Sequence, residues 1–275
     1  MHLAFSSNAF TSFSLDDAIR EIARLGYAGI EILCDHPHAV PERLSPERIR
    51  EIAEAVEGAK LRISNLNAFP TCYMGDVYHP SWIHEGEAER RVEYTRRCLE
   101  LARRWGVPHL STLPGGTLDE GMDREAALER FREGLEALYD DCRRAGARIL
   151  IEPEPGLLIE TSAEFLDFAE DLDPECVGLN FDIGHFFCVD EDPVELVPRL
   201  ARWTGHYHLE DIHENRFHYH LIPGRGAIDI PGVLEAIRKT GYQDFVTVEV
   251  YPRAAAPVEA ARESIEYLRK LNVGI

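Results

Sequence analysis

Short apolar runs rich in β-branched residues alternate with longer, charge-studded amphipathic segments from one end of the chain to the other, the rhythm of repeated strand and helix units. The runs that predict strands are HLAFSS (2–7), AGIEIL (28–33), LRISNLN (61–67), PHLSTL (108–113), RILIEP (148–153), VGLNFD (177–182), GHYHLE (205–210) and FVTVEV (245–250). Eight is the number that closes a barrel, and 275 residues suit one α/β barrel, a fold that commonly takes about 250. The pattern predicts an α/β chain folded as one (β/α)8 barrel domain over residues 1–275, with its site at the carboxyl ends of the strands.

The intervening segments carry helix punctuation. Ser14 with Asp17 and Thr161 with Glu164 read as capping boxes, and SPER at 45 and DPVE at 192 place Ser or Asp before a proline at the first helical position. Gly26, Gly106, Gly146 and Gly241 precede strands, where a left-handed helix cap is expected. No linker or low-complexity tract divides the chain. The irregular stretch AFPTCYMGDVYHPSW (68–82) is long for a plain connection and reads as a binding loop or a surface excursion. A doubly wound sheet would want a glycine-rich phosphate loop after the first strand, and SSNAFTSFSL has no glycine.

Composition narrows the partners. Lys and Arg total 29 against 49 Asp and Glu, a formal charge of -20 that repels a polyphosphate backbone and disfavours nucleic acid. The six cysteines are scattered without a Cys-x-x-Cys pair and read as thiols of a reducing compartment. No basic n-region opens the sequence, and no apolar run approaches the roughly 18 residues of a membrane span. A cytoplasmic protein without a membrane partner is the expectation, and a homo-oligomer is left open.

Chemistry gathers late in the strands. The fifth ends in Glu152 and then Glu154, the sixth in Asp182 followed by His185, the seventh carries His206 and His208, and the eighth leads into Glu249. Buried charge on four consecutive strands is costly unless it is paired, and a divalent cation resolves the cost. Three carboxylates and one imidazole suit Mn, Mg, Co or Zn. His206 and His208 lie on one face of their strand, so spacing leaves open which of them would be the ligand.

In IEPEPG, FDIGH, HLED, PGRGAIDIPGVLEAIRKTGY and VTVEVY, taken in this order, the chain resembles the xylose isomerase-like barrel superfamily, closer to its sugar phosphate isomerase and epimerase members. That superfamily joins sugar isomerases and 3-epimerases to apurinic-site endonucleases. The resemblance implies a metal site of Glu152, Asp182, His208 and Glu249, with Glu152 and Glu249 also exchanging the substrate proton from opposite faces and His185 touching substrate. Comparison with the endonuclease branch implies that His185, His218 and His220 hold substrate or a second zinc. Asn67 and Leu113 stand where that branch has further histidines, so the likeness does not extend to a trinuclear site. The 3-epimerases place an arginine six residues beyond the metal histidine, whereas Arg216 lies eight beyond His208, so the substrate's far end would be held differently.

Arg216, Arg225 between its two glycines, and Asn67 are the remaining candidates for substrate binding, with Trp82 a candidate pocket residue. His206 and Glu154 read as supports behind the ligands, and His213 as a solvated loop residue. The leading expectation is a divalent-metal-dependent isomerase or epimerase of a small sugar, sugar phosphate, cyclitol or keto acid. A dinuclear hydrolase, a lyase or dehydratase, and a non-catalytic binding barrel are the alternatives.

Overall fold

The computed structural model describes residues 1–70, 78–251 and 254–271, and in it every apolar run is a strand. They are β1 (His2–Ser6), β2 (Gly29–Leu33), β3 (Arg62–Asn67), β4 (His109–Thr112), β5 (Arg148–Ile151), β6 (Val177–Asp182), β7 (Thr204–Leu209) and β8 (Phe245–Val248). Each pairs in parallel with the next, and β1 pairs with β8, His2 opposite Phe245, so the sheet closes into a (β/α)8 barrel. Helices from Leu15–Leu25 to Pro257–Lys270 occupy the connections and cover the barrel's outer face. Both faces of the strands are thereby buried, which explains why the strands read as near-continuous apolar runs rather than as clean alternation. Among the described residues no helix is long and apolar enough to cross a membrane.

Local chemistry sets the helix boundaries. Thr161 and Glu164 form the reciprocal capping box, and Ser45 and Asp192 cap helices that begin with proline. At Ser14 only half of the expected box forms. Its hydroxyl accepts from the Asp17 N–H, but Asp17, one methylene shorter than glutamate, returns its carboxylate to the Ser14 hydroxyl at 2.6 Å.

Two irregularities of the sheet position the site. The β2 and β3 register shifts between Ile30 and Glu31, leaving Glu31 opposite Asn65; the β6 and β7 register shifts between Leu179 and Asn180, leaving Asn180 opposite His206 and Asp182 opposite His208. Such bulges re-aim the side chains beyond them. Here both lie just before polar residues that are fully buried in the barrel.

Candidate active site and metal centre

Four of the side chains expected from the sequence meet at the barrel mouth. Glu152, Asp182, His208 and Glu249 each offer a ligand atom within 4.8 Å of the others, and all four are buried. His208 is the hub. Its Nδ1 lies 3.0 Å from Glu152 Oε1, 3.7 Å from Glu249 Oε1 and 3.8 Å from Asp182 Oδ2, while its Nε2 lies 2.7 Å from Glu31 Oε2. Three carboxylates therefore face one ring nitrogen and a fourth holds the other. Burial alone would lower the His208 pKa, but Glu31, Glu152 and Glu249 together carry it well above the usual range. Burial pushes Glu152 up to about 7, against the pull of His208.

Amides fix the carboxylates. Asn180 donates to Glu152 Oε2 at 2.7 Å, and Glu249 Oε1 accepts from Asn8 at 2.8 Å and Asn67 at 3.1 Å. Asp182 differs: Oδ1 accepts the His185 N–H at 2.8 Å and caps the helix Ile183–Cys188, while Oδ2 is buried without a hydrogen-bond partner. A bare carboxylate oxygen aimed into a cluster of oxygens and one imidazole suits a divalent cation, which would supply the missing partner.

A second cluster adjoins the first. His185 Nδ1 donates to the Pro153 carbonyl at 2.9 Å and His220 Nδ1 to the Glu249 carbonyl at 3.0 Å, which leaves Nε2 as the ligand atom each ring could offer. His218 Nε2 sits 3.2 Å from His220 Nε2, and one ring nitrogen from each of the three histidines lies within 4.8 Å of the others. Nitrogens on a tetrahedral zinc with bonds of 2.0–2.1 Å stand about 3.3 Å apart, which the His218 and His220 pair matches. Burial, with its neighbouring histidines, lowers His185 to about 3; burial and His220 lower His218 to about 4. For His220 burial is outweighed by Glu249 and Asp182, and its pKa rises to about 9.

Both clusters open into a cavity of about 310 Å3 lined by Glu152, Glu249, His185, His218 and His220, with Asn67, Leu33, Phe69, Tyr78 and Tyr251 among the other walls. No Lys or Arg lines it among the described residues.

Several expected residues lie elsewhere or act differently. Arg216 pairs with Asp190 at 3.0 Å, donates to the Phe187 carbonyl and stacks on the Phe187 ring, outside the cavity, because its loop turns back along the helix end. Arg225 is half exposed and pairs with Glu263. Trp82 packs in the core against Phe131 and donates to Thr112 Oγ1 at 3.1 Å. Asn67 lines the cavity, but its amide is committed to Glu249 and Glu31. His206 stands behind the centre, 3.7 Å from Glu31. Glu154 faces the cavity rather than backing the ligands, and burial raises it to about 8. His213 caps its own turn at Asn215, away from both clusters. Sequence reasoning missed Glu31, Asn180 and Tyr78. The signal for Glu31 was a lone acid in the otherwise apolar GIEIL, a strand buried on both faces.

The barrel and its mouth thus define a (β/α)8 protein with a carboxylate and imidazole centre. The sequence profile described as xylose isomerase-like TIM barrel matches residues 19–271, and the chain belongs to that family. An inosose dehydratase of Mesomycoplasma hyopneumoniae is 30% identical over 277 residues, 94% of this chain and 89% of that protein. One from Lacticaseibacillus casei is 32% identical over 158 residues, where the match spans 51% of this chain and about half of the relative, 53%. The crystal structure of 3-keto-D-glucoside 4-epimerase from Escherichia coli superposes with a TM-score of 0.79 over 98% of this chain and 99% of that one, at 22% identity.

Proposed function

We propose that the protein is a divalent-metal-dependent dehydratase of an uncharged cyclic polyhydroxylated ketone, an inosose or a close analogue. The observation that carries the reading is the buried group of Glu152, Asp182, His208 and Glu249 at the mouth of a cavity whose described walls carry no Lys or Arg. Among the described walls a phosphate or carboxylate substrate would find acids and imidazoles and no guanidinium to receive it. The names of the relatives favour elimination over the epimerisation that the sequence alone suggests.

Glu152, Asp182, His208 and Glu249 would hold the cation, and His185, His218 and His220 a second one, zinc by its all-nitrogen donors. When bound, the ion polarises the substrate carbonyl and steadies negative charge on its oxygen. Glu152 and Glu249 line the cavity with their carboxylates already oriented by Asn180, Asn8 and Asn67, so the two together are placed to move the proton at the carbon beside the carbonyl, and exchange needs both. His185, fixed on the Pro153 carbonyl, contributes a ring edge to the same wall.

Incubation of metal-loaded protein with a panel of inososes and keto sugars in D2O tests the reading. The expected result is loss of water, seen as a conjugated product, with deuterium entering beside the carbonyl. Exchange without water loss on every member of the panel would turn the assignment to an epimerase, the second reading, which the presence of two carboxylates on the cavity favours. Glu249→Gln abolishes the exchange while leaving the fold intact; full exchange in that variant removes Glu249 from the chemistry.

A further inference from the structure

The segment 78–87 contributes no group to either cluster, yet it delivers one side chain into the cavity. Tyr78 has φ 68°, in the left-handed region that a bulky residue avoids. The chain beyond it is pinned at several points. Glu87 Oε2 accepts from the Ser81 N–H at 2.9 Å and lies 2.7 Å from His79 Nδ1; Ser81 Oγ accepts the His84 N–H at 3.0 Å; His84 Nε2 lies 3.1 Å from Asp119 Oδ2 on the connection after β4. Such a lattice of bonds holds a strained residue in place, and what it presents is the Tyr78 hydroxyl, which donates to Glu154 Oε1 at 2.6 Å inside the cavity. Among the described lining residues Thr11, Tyr78 and Tyr251 carry a hydroxyl, and a phenol gives up its proton more readily than an alcohol; of the two phenols Tyr78 is buried further in and held on Glu154, whereas Tyr251 is 44% exposed.

We propose that Tyr78, steadied by Glu154, is the proton donor to the departing hydroxyl, on the opposite side of the reaction from the carboxylates that take the carbon-bound proton. The inference rests on the dehydratase reading and deepens it. A carboxylate of the centre takes the proton from the carbon beside the carbonyl, and that electron pair becomes the new carbon–carbon double bond as the bond to the β-hydroxyl breaks. The hydroxyl leaves with the Tyr78 proton as water. The carboxylate's proton returns through solvent to the phenolate, so no oxidant or further reactant enters. Without the pair, proton removal continues and the hydroxyl has no donor.

The test separates the two halves of the reaction in Tyr78→Phe and Glu154→Gln, both close in shape to the native residues and checked for folding by thermal unfolding. With metal-loaded enzyme and an inosose in D2O, elimination falls about 100-fold in Tyr78→Phe while deuterium exchange beside the carbonyl stays within about threefold. Glu154→Gln shows the same split in smaller measure. An analogue with fluorine in place of the departing hydroxyl needs no proton to leave, so it restores elimination in Tyr78→Phe. Equal loss of exchange and elimination, unchanged elimination, or failure of the fluoro analogue to rescue would each overturn the assignment. Wild-type protein that exchanges without eliminating refutes the dehydratase reading itself, and this proposal with it; the variants bear on the proposal alone.

Discussion

With its Nε2 donating to the Glu31 carboxylate at 2.7 Å, His208 can offer only Nδ1 to the cavity, so Glu31 decides which nitrogen serves as ligand. His208 opposes the burial of Glu31 and brings its pKa down to about 2, so Glu31 is ionised and a true acceptor. Glu31→Gln keeps the shape and removes the charge. Titration of chelator-treated protein is expected to give metal affinity weaker by about 10- to 100-fold with little change in fold, and unchanged affinity would show that the ring is oriented by other contacts. His38 gives a separate prediction. Ser7 Oγ accepts the Leu33 N–H at 2.9 Å and lies 3.1 Å from His38 Nδ1. Burial lowers His38 from the ordinary 6.5 to about 4. The unfolded chain therefore binds the proton first: this stability is complete above pH 6.5 and is lost as pH falls towards 4, by up to roughly 3 kcal/mol. In denaturant unfolding between pH 7 and 4.5, His38→Asn should lose less stability than the parent; equal losses would place the acid sensitivity elsewhere.

The connection from Asp211 to Ile228 carries two of the three clustered histidines, and one carboxylate organises it. Asp211 accepts from the N–H groups of Ile212 at 3.0 Å, Gly224 at 2.9 Å, Gly226 at 2.8 Å and Ile228 at 3.1 Å, while its backbone forms a two-way bridge with Leu221. An amide cannot accept at both ends, so Asp211→Asn leaves N–H groups unpaired, at a cost of about 1–3 kcal/mol. Elemental analysis of the variant should give about one equivalent of metal where the parent holds about two; two in both would separate the loop's order from ion binding. The same connection shows what was legible in the sequence. All eight strands and their order follow from local signals, since apolar runs and helix caps act over a few residues. The four clustered residues at the carboxyl ends of β5 to β8 could be named because barrel geometry and family likeness both point to strand ends. Arg216 and Trp82 could not be placed, because a loop's course depends on partners distant in sequence: Asp190 and Phe187 for the one, Phe131 and Thr112 for the other. Tyr78 escaped notice for the same reason, its role depending on Glu154, 76 positions away.

Across the whole molecule the dominant electrostatic feature is negative charge, -20 in total, with a share of it buried at the barrel mouth. Surface pairs such as Arg103 with Glu100 screen one another in water and add little to stability. The mouth is different, because Glu31, Glu152 and Asp182 are almost wholly removed from solvent with His208 at their midst, and Asp182 Oδ2 has no hydrogen-bond partner. Such a centre strains the metal-free fold, and a cation that binds the native state alone stabilises it by mass action, about 4 kcal/mol at a free concentration 1,000 times its Kd. For a domain of this size each kcal/mol moves Tm by about 2–4 °C, so saturation with Mn, Co or Zn should raise the Tm of chelator-treated protein by roughly 8–16 °C. Asp182→Asn removes the ligand whose oxygen is bare and should take most of that increment with it, while relieving part of the repulsion in the metal-free state. Scanning calorimetry of both proteins with and without metal checks the argument. A Tm indifferent to every divalent cation in the parent would mean that protons, shared among the carboxylates and His208, neutralise the centre instead.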